Sequence, residues 1–417
     1  MLIEQAKSSK LETFYGPIRF EDGPWSLLRV DKGLKYGLKS LCHRPNPATD
    51  ADRQHFERSF DFLKHESWRS ARCPSQRSLS LACVGDLMWL EAGWDAPVSS
   101  RVRERLNGSS IRYANLETPI DSDKPVPFYS YCRFNAPESY LSMWEEDSSK
   151  TIFSLCNNHA LDQGARGLVN TRKAVLEKQR FHCVGGVDAA DRISVVEHDG
   201  LTIASIGVTY GINPWSVDGS SHVPDGICLS GCGNPNLEPN WSELSALIQR
   251  CRELQADFIV VLAHWGFEYE YWPEARQREF AYRLIEMGAD LIVGSSPHVL
   301  QPIEVVSVDG WNSTCSVQLE RGGAPRPGII AYSLGNFTTS MPTTGCRTGA
   351  VLELEVGFDA DGSVGLHDLG ALPTASIARG LTRRSRQTVA LSELPECSAR
   401  PYQQHARRLL GPLMRQF

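Results

Sequence analysis

The sequence lacks the features that would assign it to a membrane-spanning, nucleic-acid-binding or secreted class. No run of about 18 apolar residues occurs, so the sequence predicts no transmembrane helix. The 43 Lys and Arg residues are outnumbered by 49 Asp and Glu residues, and the net charge of −6 argues against nucleic-acid binding. Residues 1–7 carry charge where a signal peptide needs an apolar stretch. We therefore expect a soluble, cytoplasmic protein without a membrane anchor.

Two common catalytic signatures and a disulfide framework are also missing. The absence of Gly-x-x-x-x-Gly-Lys-Ser/Thr argues against a P-loop ATPase, and the absence of Gly-x-Ser-x-Gly argues against a serine hydrolase. The 12 cysteines are scattered, and Cys83 and Cys156 lie in apolar runs, as expected of reduced core thiols. Cys228 and Cys232 could form half of a zinc site, but no second Cys or His pair lies nearby to complete it.

From Leu79 onward, short apolar strands alternate with helical stretches, a pattern typical of an α/β domain. Strands are predicted at residues 79–84, 110–114, 151–155, 201–208, 257–263, 291–294, 328–334, 350–358 and 363–372. Helices are predicted at residues 137–146, 165–179, 241–254 and 274–288. Many short strands with helices between them predict a sheet whose faces are covered by helices.

Two extensions flank this domain, which we assign to residues 77–374. The N-terminal extension, residues 1–76, contains Phe56, Phe60 and Leu63 at helical spacing, which predicts a helix at residues 52–68. The C-terminal extension, residues 375–417, is rich in arginine, and we interpret it as a solvated surface helix and tail.

Polar side chains follow five of the predicted strands, at the point where each strand ends. They are Asp86, Asn115 with Glu117, Asn157 with Asn158 and His159, His264, and Ser296 with His298. Ligands of open α/β sheets bind outside the carboxyl ends of the strands, so we expect one polar rim there. Each residue alone could be a turn residue, a helix cap or a structural histidine. Together, carboxylate, amide and imidazole groups suit a divalent metal such as manganese, iron or zinc.

Seven ordered motifs resemble the CapA-type family of capsule, or poly-γ-glutamate, synthesis proteins. They are Val-Gly-Asp86-Leu-Met, Asn115-Leu-Glu117-Thr-Pro, Asn157-Asn158-His159-Ala-Leu-Asp162-Gln-Gly, His264-Trp-Gly-Phe-Glu268-Tyr269, Gly-Ala-Asp290, Pro-His298-Val-Leu-Gln-Pro and Tyr-Ser-Leu-Gly-Asn336-Phe. The resemblance covers residues 78–340. It implies a calcineurin-like metallophosphoesterase fold, which is a four-layer α/β/β/α sandwich with a metal centre at the strand ends.

The resemblance also implies roles for individual residues. The metal ligands would be Asp86, Glu117, Asn158, His264 and His298, with Glu117 or Asn115 in the bridging position. The catalytic residues would be His159, its partner Asp162, and Glu117. The substrate-binding residues would be Asn115, Asn157, Glu268, Tyr269 and Asn336.

This sequence departs from the pattern at two positions. Met88 stands where the superfamily has the histidine of Asp-x-His, and Ser296 stands where members of the family often have a histidine. With two nitrogen ligands missing, we expect one divalent metal rather than two.

Two arginines near the motifs, Arg133 and Arg166, are candidates for binding a substrate carboxylate or phosphate. The preferred function is a metal-dependent hydrolase or acyl/phosphoryl transferase that acts in the cytosol on a phosphate ester or on a γ-glutamyl or peptide amide. One alternative is a non-catalytic accessory protein that binds an anionic poly-γ-glutamate-like polymer. Another is an amide-bond-forming enzyme that uses an activated acyl donor.

Overall fold

The computed structural model describes residues 48–66, 68–70, 77–88, 97–126, 133–145, 149–213, 223–231, 238–308, 316–317, 326–358, 364–379 and 385–415. Its strands are β1 (Arg77–Leu87), β2 (Ile111–Asn115), β3 (Lys150–Ser154), β4 (Phe181–Val184), β5 (Ile193–His198), β6 (Leu201–Thr209), β7 (Cys228–Leu229), β8 (Phe258–His264), β9 (Leu291–Ser295), β10 (Ile303–Val308), β11 (Ser316–Val317), β12 (Arg326–Ala331), β13 (Asn336–Thr338), β14 (Thr348–Phe358), β15 (Val364–Arg379) and β16 (Ser385–Ala390). Its α-helices are α1 (Asp50–Lys64), α2 (Ser100–Asn107), α3 (Gly164–Leu176), α4 (Trp241–Glu253), α5 (Ala275–Met287) and α6 (Glu396–Leu410). A 3-10 helix spans Glu138–Trp144, within the range predicted as helix.

Within the described residues, the strands form two eight-stranded sheets. The first has the order β16-β15-β14-β1-β2-β3-β4, with β13 beside β1, and the second has the order β11-β10-β12-β9-β8-β6-β5, with β7 beside β6. Strands β1 to β4 are parallel, as are β6, β8, β9 and β12. The carboxyl ends of the parallel strands therefore meet at one edge of each sheet.

Helices cover the outer face of each sheet, and the two inner faces pack on each other. Leu81 of β1 and Ile203 of β6 belong to one buried cluster between the sheets. Ala82, the next residue of β1, points the opposite way and packs with residues of α2 and α3, because side chains alternate along a strand. Ala204 likewise shares a cluster with residues of α4 and α5. The predicted four-layer α/β/β/α sandwich is confirmed.

Helix α1, which lies in the N-terminal extension, confirms the helix predicted there but ends at Lys64. Its Phe56 packs in the outer core of the second sheet, while Phe62 and Leu63 reach the cluster between the sheets. The Phe56 ring lies 5.5 Å from that of Trp272, and the guanidinium of Arg408 in α6 lies 5.5 Å from the same indole. Both extensions thus contact the main domain at Trp272.

The C-terminal segment is integral to the fold rather than a solvated tail. The boundary placed at residue 375 falls inside β15, which continues to Arg379 and pairs with β16. Helix α6 is amphipathic, and it buries Leu409 and Leu410 in the cluster between the sheets. The many arginines of this segment led to the prediction of a solvated helix. In the structure they occupy one face of α6, and the opposite face is apolar and buried.

Among the described residues, no helix combines the length and apolar character needed to cross a bilayer. Free thiols are buried at Cys83, Cys156, Cys183, Cys228, Cys251 and Cys346, as predicted for reduced core cysteines, whereas Cys397 is exposed. Cys232, the second residue of the possible zinc half-site, lies outside the described residues.

Candidate active site and metal centre

Strand pairing brings the predicted polar residues together. In the first sheet, Asp86 at the end of β1 pairs with Asn115 of β2 on one side and with Asn336 of β13 on the other. In the second sheet, His264 at the end of β8 pairs with Ser295 of β9. The carboxyl ends of both parallel regions thus carry the polar rim that the sequence predicts.

Gly85 allows β1 to approach the Leu334–Gly335 turn at this edge. The Asp86 amide donates a hydrogen bond to the Gly335 carbonyl at 3.0 Å, and a Cβ on residue 85 would overlap that carbonyl oxygen. Only glycine permits such a close approach of two backbones. Gly85 therefore fixes where the Asp86 carboxylate lies.

Three buried residues, Asp86, Glu117 and His298, form the centre of the site. Each offers one ligand atom, and these atoms lie within 4.8 Å of one another. Glu117 Oε1 is 3.8 Å from Nε2 of His298 and also 3.8 Å from Nε2 of His264. Two carboxylates and the His298 imidazole thus converge, and the His264 imidazole lies beside Glu117.

Glu117 differs from the other members of this cluster in its hydrogen bonding. Its side chain is fully buried, yet neither carboxylate oxygen has a hydrogen-bond partner among the described residues. Burial raises the pKa of Glu117 well above its usual value, and the Asp86 charge raises it further. A buried carboxylate that accepts no hydrogen bond is costly unless a nearby cation compensates its charge. The site therefore fits a divalent metal, for which carboxylate and imidazole ligands are suited.

His298 and Asp86 form a charged pair. Nδ1 of His298 lies 3.2 Å from Asp86 Oδ2 and 3.1 Å from Asn336 Oδ1. Burial lowers the pKa of His298, but the Glu117 charge and the hydrogen bond with Asp86 outweigh it and raise the pKa to about 10. Burial alone would raise the pKa of Asp86. The hydrogen bond that Asp86 forms with His298 outweighs this effect, so the pKa of Asp86 lies below its usual value. The metal-free cluster thus retains protons that a cation would displace.

His264 is a neutral imidazole, the form that binds metals. Burial lowers its pKa to about 3, although the Asp86 charge opposes the shift. Its Nε2 lies 3.0 Å from Asn158 Oδ1, and its Nδ1 lies 3.1 Å from Ser295 Oγ and 3.3 Å from Asn115 Nδ2. The same Asn115 nitrogen donates to Asp86 Oδ1 at 2.8 Å. Asn115 therefore orients one carboxylate and one imidazole of the cluster.

His159 lies beside this cluster and is held on several sides. Its Nδ1 is 2.7 Å from Asp162 Oδ2, which also accepts a hydrogen bond from the Phe134 amide at 2.7 Å. The Phe134 ring stacks on the imidazole with centroids 4.0 Å apart. Burial raises the pKa of Asp162, although the charge of His159 opposes the shift. About one tenth of the His159 side chain is exposed (10%), so it can reach a substrate.

Three residues other than glycine adopt the left-handed backbone region near the centre. They are Tyr269 (φ 67°), Ser296 (φ 94°) and His298 (φ 57°). The Tyr269 amide donates to the carbonyl of Pro297 at 2.8 Å, which ties the two segments together. Strain of this kind persists only where surrounding contacts impose it, and it concentrates at functional sites.

Two asparagines predicted to bind substrate have their side chains engaged within the protein. Asn157 donates to Asn115 Oδ1 and to the Leu116 carbonyl, and its own oxygen accepts from the His159 amide. The Asn336 nitrogen donates to the carbonyls of His298 and Cys346. Both side chains orient other residues of the site.

The remaining predicted substrate-binding residues lie at different distances from the centre. Tyr269 packs near His298 with ring centroids 6.2 Å apart, and the Glu268 charge raises the pKa of both His298 and Glu117. Arg133 is exposed, and its charge weakly opposes the rise in the pKa of Asp162 that burial causes. Arg166 is 83% exposed and binds Asp123, so its contacts lie outside the cluster.

Sequence reasoning missed Asn213 and Ser295. Ser295 directly precedes Ser296, and Asn213 lies four residues beyond the end of β6. The Asn-Pro turn after a predicted strand was the signal that could have identified Asn213.

Comparison with known proteins places all of the candidate metal ligands inside the part of the chain that one family matches. A family model described as "Bacterial capsule synthesis protein PGA_cap" matches residues 79–341. A similar curated protein is the PGA biosynthesis protein CapA of Bacillus subtilis, which is 32% identical over 221 residues, covering 52% of this chain and 50% of that protein. Another is the capsule biosynthesis protein CapA of Bacillus anthracis, which is 29% identical over 291 residues, covering 66% of this chain and 63% of that protein. A probable polyglutamine synthesis accessory protein of Mycobacterium tuberculosis is 29% identical over 203 residues, 46% of this chain and 50% of that protein. The chain thus spans half to under two thirds of these relatives.

The solved structures that match this chain share little sequence with it. A novel phosphatase from Mycoplasma pneumoniae matches with a TM-score of 0.42 and 9% identity, over 78% of this chain and 99% of that chain. A 5'-nucleotidase precursor from Thermus thermophilus matches with a TM-score of 0.38 and 14% identity, over 80% of this chain and 59% of that chain.

Proposed function

This chain belongs to the bacterial capsule synthesis protein PGA_cap family, and we propose that it is a metal-dependent hydrolase or acyl/phosphoryl transferase. The observation that carries the proposal is the Glu117 carboxylate, which is fully buried without a hydrogen-bond partner among the described residues and faces His264 and His298 at 3.8 Å. A purely structural core would not favour such a group, since its charge is costly to bury.

One divalent ion would be held by Asp86, Glu117, His264 and His298, with the Asn158 oxygen as a further ligand. Such an ion lowers the pKa of bound water and polarises a phosphoryl or carbonyl oxygen. Asn115 and Asn336 hold three of these ligands in place through the hydrogen bonds described above. Met88 and Ser296 supply no imidazole, which favours one ion over two.

His159 is the proton donor to the leaving group in this proposal. Its Nδ1 binds the buried Asp162 carboxylate, which fixes the tautomer and the orientation of the ring. Its partial exposure leaves the ring accessible to a substrate. Arg133, whose charge reaches Asp162, is the candidate partner for a substrate carboxylate or phosphate.

The preferred substrate class is a γ-glutamyl amide rather than a phosphate ester. The names of two similar proteins, the PGA biosynthesis protein CapA and the probable polyglutamine synthesis accessory protein, favour a glutamyl substrate. The name of the mycobacterial relative also favours a second candidate, an accessory role in binding a glutamyl polymer without turnover.

A parallel assay tests the proposal. The full chain, loaded with Mn²⁺, is incubated with γ-glutamyl-p-nitroanilide and short γ-glutamyl peptides, and separately with p-nitrophenyl phosphate. Turnover of the γ-glutamyl compounds that falls about 100-fold or more in His159→Gln is the expected result. If the protein binds metal and γ-glutamyl peptide but turns over none of these compounds, the enzyme proposal fails in favour of the accessory role.

Uptake of a divalent ion by the metal-free protein at neutral pH is expected to release about one to two protons. Because the Glu117 charge itself raises the pKa of His298, the two raised pKa values belong to one coupled pair, and that pair holds the protons that ligation displaces. Metal affinity therefore rises with pH. Calorimetric titration in two buffers of different ionisation enthalpy counts the protons, and Glu117→Gln should release fewer. A titration with no proton release and no pH dependence would contradict the assigned ligands.

The same protonation sets how the stability of the metal-free protein depends on pH. The pKa of His298 rises from 6.5 to about 10 on folding, so its stabilising contribution is complete below 6.5 and is lost as pH rises toward 10. Thermal unfolding in chelator should therefore show a midpoint that falls over this range.

A further inference from the structure

Asn213 links the two functional parts of the site, although it belongs to none of the motifs. It is 8% exposed and lies in the loop that follows β6. Its backbone amide donates a hydrogen bond to the carbonyl of Asn158 at 2.8 Å. This bond ties the loop directly to the segment that carries Asn158 and His159.

The Asn213 side-chain oxygen determines which way the Asn158 amide faces. Asn158 Nδ2 donates to Asn213 Oδ1 at 3.4 Å. With its nitrogen engaged there, Asn158 presents its oxygen on the opposite side, 3.0 Å from Nε2 of His264. An amide can ligate a cation only through its oxygen, since its nitrogen carries two donor hydrogens. Asn213 thus enforces the orientation that a metal ligand needs.

The Asn213 side-chain nitrogen faces the His159 ring. Nδ2 lies 3.3 Å from Nδ1 and 3.4 Å from Nε2 of His159, so it approaches both ring nitrogens almost equally. Asp162 holds Nδ1 at 2.7 Å, and Phe134 stacks on the ring face. Asn213 is therefore the third group that confines the imidazole, and it also contacts Asn158.

We infer that Asn213 is a positioning residue that sets the amide oxygen of Asn158 toward the metal centre and the His159 imidazole beside it. The inference rests on the proposed function for the roles of Asn158 and His159. One side chain thereby couples the geometry of a metal ligand to that of the proton donor, and its loss should disturb both while leaving the sheets intact.

Two variants separate the two contacts. Asn213→Ala removes both, and we expect affinity for Mn²⁺ to fall roughly 10- to 100-fold in competition with a chelator. Asn213→Asp keeps an oxygen for Asn158 and loses the nitrogen at His159, so it should keep affinity close to that of the unmodified chain. Asn170→Ala is the control, because the Asn170 amide binds Asp121 and Asp123 in another part of the chain.

A measurement on the metal-free protein makes the test independent of metal binding and turnover. The ¹⁵N shifts of the His159 ring nitrogens are recorded for the full chain in chelator, with His159 assigned by its absence in His159→Gln. Both Asn213 variants should change these shifts, whereas Asn170→Ala should not. Asn213→Asp, which keeps the side-chain shape, serves for this comparison if Asn213→Ala does not fold.

The outcomes are distinct. Unchanged His159 shifts in both variants, together with unchanged Mn²⁺ affinity in Asn213→Ala, would overturn the role of Asn213. A chain that takes up no metal would instead refute the proposed function, while altered His159 shifts would still support Asn213 as the residue that positions the ring.

Discussion

Replacing Glu117 by glutamine is expected to make the metal-free protein more stable while removing most of its metal affinity. The substitution deletes a buried carboxylate that has no hydrogen-bond partner among the described residues and that lies beside Asp86. We expect the free energy of unfolding to rise by about 1–3 kcal/mol at neutral pH. Affinity for a divalent metal should fall about 100-fold or more, because the lost group is one of the proposed ligands.

The gain in stability has a defined pH dependence. The unfolded chain ionises Glu117 above about 4.5, whereas the folded, metal-free protein resists this ionisation. The advantage of Glu117→Gln should therefore be small below that pH and grow as the pH rises toward neutrality. Thermal unfolding in chelator measures the stability, and competition with a chelating dye measures the affinity.

Glu304→Gln provides the matched control. Glu304 is also a buried carboxylate, but it accepts hydrogen bonds from Tyr282 at 2.9 Å and Tyr332 at 3.0 Å, and it pairs with His55. Its replacement should destabilise the protein and leave metal affinity unchanged. If Glu117→Gln behaved in the same way as Glu304→Gln, Glu117 would be a structural residue.

Replacing His159 by glutamine is expected to lower kcat about 10²- to 10⁴-fold, the usual contribution of a general acid or base. Metal content should be unchanged, because the ring contacts Asp162, Asn213 and Phe134 rather than the Asp86–Glu117–His298 centre. Stability should fall by about 1–3 kcal/mol, since Asp162 loses a partner while remaining buried.

Asp162→Asn distinguishes positioning from proton transfer. The amide can no longer fix the Nδ1–H tautomer of His159, so kcat should fall while the ring remains in place. The double variant should be no slower than His159→Gln alone, because both residues act through one imidazole. His182→Gln, on strand β4, is the control for a histidine outside the site. A His159→Gln protein that kept its kcat, or lost its metal, would remove His159 from the proposed role.

The strands and helices could be predicted because apolar runs and spacing reflect burial directly. The run at residues 79–84 lies within β1, and the helix predicted at 274–288 contains α5. The end of the domain could not be predicted in the same way. Strand β15 passes through residue 375, and α6 buries only one face beneath a basic surface.

The residues of the candidate site could be predicted from the sequence, but the hydrogen bonds among them could not. Polar residues at strand ends marked the rim because parallel strands end together. The direction in which a side chain points decides whether an asparagine binds substrate or holds another residue of the site. Asn157 was predicted to bind substrate, but its side chain donates hydrogen bonds to Asn115 and to the carbonyl of Leu116. Arg166 lies close to a motif in sequence, but its position on α3 faces solvent and Asp123. Only the folded arrangement shows that Glu117 is buried beside two imidazoles.

The measurement that tests the central claim most directly is elemental analysis of the full chain, purified without chelators or immobilised-metal columns and then incubated with Mn²⁺. We predict about one equivalent of divalent metal in the unmodified chain and in His159→Gln, and almost none in Asp86→Ala. The absence of bound metal from the unmodified chain, or equal metal content in Asp86→Ala, would contradict a metal centre built on Asp86, Glu117 and His298.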